Sequence, residues 1–101
     1  MTDRTLIVRD AVVQARAGEP SVSARLDAAV RFGLALEEGS DVALIAYGET
    51  EEWDSVAHMQ LVAALENEFD LLIETDDVIA MSDYREIRRI LRERYGVALE
   101  A

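Results

Sequence analysis

Asp54-Ser55-Val56-Ala57-His58-Met59-Gln60-Leu61-Val62-Ala63-Ala64-Leu65-Glu66-Asn67-Glu68-Phe69 is the stretch whose reading decides the fold. Leu61, Leu65 and Phe69 recur every four residues with Val62 beside them, which lays one apolar stripe along a helix over 55–69. Asp54 stands where an N-cap belongs, its carboxylate free to accept unpaired backbone N–H groups of the first turn. Such a stripe needs other helices to cover it.

Downstream, Asp83 with Glu86 three residues on has the spacing of a capping box and predicts a last helix to about Tyr95, ended by Gly96. Its inward stripe is Tyr84, Ile87, Ile90 and Leu91, and its outer face is Arg85, Arg88, Arg89 and Arg92. Arginines late in a helix suit the negative end of its dipole. Between the two helices, Asp70 to Glu74 reads as a loop in which Leu71, Leu72 and Ile73 are not all exposed. Asp76 to Met81 has room for a turn or two of helix.

Upstream, Val22, Leu26, Ala29, Val30 and Gly33 recur at helical spacing after Ser21, with Arg25, Asp27 and Arg31 on the other face. Phe32-Gly33-Leu34 supplies a glycine suited to a helix end. Ala35 to Trp53 is then a long acidic connection, with Val42, Leu44, Ile45 and Tyr47 as its anchors and Gly39 and Gly48 at its turns. The sole proline, Pro20, lies in the clearest break, Ala17-Gly18-Glu19-Pro20-Ser21. Before it, Val8, Ala11, Val12 and Ala15 make a helical stripe within Thr5 to Ala17, although Leu6-Ile7-Val8 also suits the start of a short strand.

No stretch alternates with period two long enough for a sheet, and there are no internal repeats. The expectation is all-α: a small four-helix bundle with a long loop between its first core helix and the Ser55 helix, plus an N-terminal extension. The organisation read from the sequence is an extension over 1–19, one domain over 20–96 and a C-terminal tail over 97–101.

Composition narrows the function. A chain of 101 residues with half of them apolar builds one core without staples, and the absence of Cys removes disulfides, thiolate metal sites and a Cys nucleophile. No segment approaches the roughly 20 apolar residues of a bilayer span, and Asp3, Arg4, Arg9 and Asp10 break up any leader-like run. A cytoplasmic monomer is expected. The net charge of −11 is uneven: residues 36–79 hold 13 of the 21 acids and no Lys or Arg, while each flank carries five Arg against four acids. Nucleic acid is therefore not an expected partner, because its binding needs a basic footprint. An acidic middle favours partners that present Arg and Lys, or simply keeps the surface solvated.

Among residues able to carry chemistry, Ser55 is foremost. A serine at a helix N-terminus sits beside unpaired N–H groups and partial positive charge, a good place for a phosphodiester. Read alone, it equally serves to start the helix. A hydrolase assembled from Ser55, His58 and an acid lacks the Gly-x-Ser-x-Gly elbow and an evident oxyanion hole, so no catalytic residue is assigned. One His and no Cys exclude the usual zinc sets, and Glu74, Asp76 and Asp77 lack EF-hand spacing, so no metal site is assigned.

Taken together, Asp54-Ser55-Val56, Leu61-Val62-x-x-Leu65-Glu66-x-x-Phe69, Ile73, Ser82-Asp83 and Ile87 resemble the acyl carrier protein family. The resemblance runs without a gap from Asp54 to about Leu91. Phe32-Gly33-Leu34 is similar to the family's end of the first helix, so about residues 21–95 are covered. It implies an acyl-carrier-like bundle and a covalent 4′-phosphopantetheine on Ser55, a phosphoprotein whose arm holds acyl groups as thioesters. A Cys-free chain fits, since the working thiol comes with the cofactor.

Glu51-Glu52-Trp53 replaces the family's common Leu-Gly. Trp53-Asp54-Ser55 is similar instead to discrete carriers that accompany stand-alone acyl-activating ligases. Ala57, Gln60 and Asn67 stand where fatty-acid carriers are often acidic, while Glu66 and Glu68 remain. The implied partners are a phosphopantetheinyl transferase and an acyl-activating ligase, acyltransferase or ketosynthase of fatty-acid, polyketide or more specialised biosynthesis. The implied partner face is Asp54, Val56, Met59, Val62 and Glu66. An aminoacyl carrier, or an unmodified interaction module of the same fold, is the alternative.

Overall fold

The computed structural model describes residues 20–100. The N-terminal extension and its expected helix lie outside the described residues. Among the described residues four helices form: α1 (Val22–Gly33), α2 (Ser55–Phe69), α3 (Thr75–Ala80) and α4 (Tyr84–Tyr95). Among the described residues no strand forms, and the one isolated bridge joins Ala46 to Asp83. The described residues make a small all-α bundle.

Each helix starts as the side-chain chemistry dictates, α3 excepted. Ser21 accepts from the Ala24 N–H, Asp54 from the Ala57 N–H and Asp83 from the Glu86 N–H, at 3.1, 2.8 and 2.8 Å. Only the Asp83 half of the expected capping box is made, because the Glu86 carboxylate turns to Arg89 at 2.7 Å instead. α3 has no side-chain cap and spans a mere six residues, so its place is held by tertiary contacts. α2 ends on Asp70 at φ 52°, a left-handed position that a short polar side chain tolerates, and α4 ends on Gly96 at φ 69°.

Gly33 plays a different part from the one its position suggests. The left-handed residue after α1 is Ala35, at φ 55°. Gly33 itself is buried where α1 crosses α2, and a Cβ built on it would stand 2.6 Å from the Leu61 Cα. It is a close-approach glycine between two helices.

The core is one cluster. Leu26, Val30 and Leu34 come from α1 and its end, Leu61 and Leu65 from α2, and Ile87, Ile90 and Leu91 from α4, with Met81 beneath α3. Residues 34–54 contribute Val42, Ile45 and Trp53. Leu44 is not the anchor that was expected: it is 88% exposed, because the turn at 43–44 points it outward while Val42 and Ile45 face in. Backbone bonds fix the loop to the start of α4, Tyr47 N–H to the Ser82 carbonyl at 2.8 Å and Tyr84 N–H to the Ile45 carbonyl at 3.4 Å. After α4 the chain folds back, burying Leu99 and packing Val97 on the core.

Polar networks tie the helices at their flanks. Tyr84 donates to the Asp27 carboxylate across α4 and α1, and burial followed by that bond pushes its phenol up. Arg88, expected on the outer face, is half-buried and donates to Ser23 and to the Glu100 carbonyl. Asp77, 5% exposed, holds α3 to α4 by accepting from Arg94 Nε and Tyr95 Oη, both at 2.6 Å.

Candidate functional site

The long loop enters α2 through Trp53, which is 1% exposed, and the next residues are immediately at the surface. Asp54 caps, and Ser55 is the first helical residue with its hydroxyl exposed. A pocket of about 430 Å³ opens beside it. Ser55 and Ser82 contribute hydroxyls; Met59, Val78, Ile79 and Met81 make the rest largely apolar. Tyr47 from the loop and His58 from α2 complete it.

His58 is engaged at both ring nitrogens. The Trp53 Nε1–H donates to His58 Nδ1 at 2.9 Å, so Nδ1 is unprotonated and the proton sits on Nε2. Nε2–H then donates to the Val78 carbonyl at 2.7 Å. The Trp53 and His58 ring planes lie within 18° of each other with centroids 5.9 Å apart, the side-by-side arrangement that an in-plane hydrogen bond requires. Tyr47 meets both rings edge-on. With both nitrogens committed to Trp53 and Val78, His58 is not disposed to take the Ser55 proton. Sequence reasoning placed His58 beside Ser55 and missed its pairing with Trp53. The signal was there: Trp53 precedes the N-cap and His58 is the fourth helical residue, the two positions of a hydrophobic staple.

The residues grouped as a partner face separate into two sets. Val56 and Met59 are 67% and 58% exposed, around Ser55. Val62 is 5% exposed and belongs to the core, since its position turns it toward the other helices, so it leaves the face. Glu66 is half-buried, with Oε2 accepting the Ile73 N–H at 2.8 Å, which caps the loop after α2. Asp54 is exposed yet committed through Oδ1 to its own helix. Glu68, on the same helix, pairs with Arg25 of α1 at 2.7 Å.

Among the described residues no group of three or more His, Cys, Asp or Glu side chains is placed to hold a metal ion. No helix among them is long and apolar enough to cross a membrane. No family model, no curated protein and no solved structure matches this chain.

Proposed function

We propose that this protein is a carrier that bears 4′-phosphopantetheine on Ser55. The observation that carries the reading is the placement of Ser55: an exposed hydroxyl on the first turn of the 15-residue α2, beside a largely apolar pocket. The residues present fit the group. The free N–H groups and dipole of α2 favour a phosphodiester there, and the Asp54 carboxylate beside it is already occupied by the Ala57 N–H. When bound, the arm supplies a thiol that holds acyl groups as thioesters.

In the attachment reaction, Ser55 Oγ loses its proton, forms a bond to the phosphorus of coenzyme A nearest the pantetheine, and the bond to the nucleotide half breaks. The transferase that positions coenzyme A also meets Val56 and Met59, whose exposure beside a modified serine is explained by docking. The acids of residues 36–79 draw in enzymes with Arg- and Lys-rich faces, so association weakens as salt rises. A specialised acyl-activating ligase follows from the Trp53-Asp54-Ser55 resemblance rather than from geometry.

Coexpression with a broad-specificity phosphopantetheinyl transferase, followed by intact-mass measurement, tests the reading. A gain of one phosphopantetheine that Ser55→Ala abolishes supports it. An unmodified wild-type chain under conditions that load a control carrier sinks it.

A further inference from the structure

A staple at a helix start is ordinarily two apolar side chains that fix the entry angle of the chain. Here one member is an ionisable ring, and that ring also reaches a third element. Through Nδ1, His58 holds the incoming loop at Trp53, and through Nε2–H it holds α3 at the Val78 carbonyl. Loop, α2 and α3 are the three walls of the pocket beside Ser55.

We infer that His58 is a proton-sensitive clasp that keeps this pocket in its closed shape. The clasp exists in one tautomer alone. A proton added at Nδ1 turns the acceptor into a donor, and two N–H groups then face each other. The Trp53 indole N–H, buried with its ring, loses its partner, so either Trp53 or the imidazole must turn away. Turning the imidazole moves a ring that lines the pocket, and turning Trp53 frees the ring against which Tyr47, another lining residue, is packed.

The groups around the ring leave the proton as the controlling variable. From the loop, Tyr47 faces it edge-on with centroids 5.5 Å apart. From α3 it meets a backbone carbonyl, while the neighbouring Asp77 is turned to Arg94 and Tyr95. From α2, the Asp54 carboxylate is engaged with Ala57 and its carbonyl accepts the His58 backbone N–H at 2.8 Å. A proton on Nδ1 and the bond from the Trp53 N–H exclude each other, so the clasp and the protonated ring compete for the same lone pair. If Ser55 bears the arm, and this clause rests on the carrier reading, acidification changes the shape of the apolar space open to its cargo.

The test uses the unmodified full-length chain, in which Trp53 is the sole tryptophan. The indole N–H and the His58 ring signals are followed by NMR from about pH 8 to about pH 5, with acrylamide quenching of Trp53 in parallel. The clasp predicts an indole shift in step with the His58 ring and a rise in quenching as pH falls. His58→Gln, which keeps a neutral acceptor and donor, should stay closed across the range. His58→Phe should be readily quenched throughout. An indole response that does not follow His58, a ring that does not titrate in this range, or a His58→Gln chain with the wild-type pH response overturns the inference. The wild-type titration decides by itself if a variant misfolds. Because no arm is needed, failure here leaves the Ser55 mass test standing, and the reverse holds too.

Discussion

Gly33 of α1 lies directly on the Leu61 backbone of α2, so close that a Cβ on Gly33 would fall 2.6 Å from the Leu61 Cα. The neighbour is main chain rather than the tip of a flexible side chain, so it cannot swing aside. Gly33→Ala must push the helices apart, and overpacking of this kind destabilises by about 1–3 kcal/mol. The helix-propensity gain of Ala returns roughly 0.5–1 kcal/mol. A net loss in the urea midpoint is expected, larger for Gly33→Val. An alanine variant as stable as wild type would show that the crossing yields easily.

The Asp77 carboxyl is held below the usual carboxylate range, first by the hydrogen bond from Arg94 and then by that from Tyr95, against the opposing effect of burial. A pKa depressed by folding gives stability that is present above the unfolded value and lost as pH falls through the folded one. Asp77→Asn should therefore lower the melting temperature at neutral pH and flatten its decline in acid. Thermal melts across that acid range check this. An unchanged acid limb would place the pH dependence elsewhere.

Val56 and Val62 lie six residues apart on α2 in opposite settings, 67% and 5% exposed. Val56→Ala should change stability by no more than about 0.5 kcal/mol while slowing modification of Ser55. Val62→Ala removes core volume and should lower the melting temperature, with modification of the folded fraction unaltered. Equal effects of both on modification rate would undo the division of the partner face.

Loss of the Asp54 cap should be felt at the site and in stability together. Asp54→Ala leaves the Ala57 N–H without its partner and is expected to destabilise by roughly 1 kcal/mol. Asp54→Ser should recover most of it. Chemical denaturation of the three proteins separates these outcomes.

The helices were legible because their determinants are local. The spacing of Leu61, Leu65 and Phe69, and the caps at Ser21, Asp54 and Asp83, all act within a few residues. What escaped depends on distant parts of the chain. Whether Leu44 or Ile45 faces inward is decided by the loop's bonds to Ser82 and Tyr84, and Gly33 matters because of a helix that starts over twenty residues later. Glu66 looked like a partner contact until the chain after α2 brought the Ile73 N–H back onto it. At the site, Ser55 and its cap could be read directly, whereas Val62 was misplaced by a stripe too broad to show where core ends.

Asp77 and Val78 are consecutive yet serve opposite sides of α3, the carboxylate fastening to α4 and the carbonyl receiving His58 from α2. A six-residue helix so attached is fastened along two edges, with a charged post on one and a hydrogen-bonded bolt on the other. A proton on the imidazole leaves that bolt made, because Nε2–H still donates to the Val78 carbonyl. So α3 stays fastened on both edges, and the loop at Trp53 is the part that loses its hold.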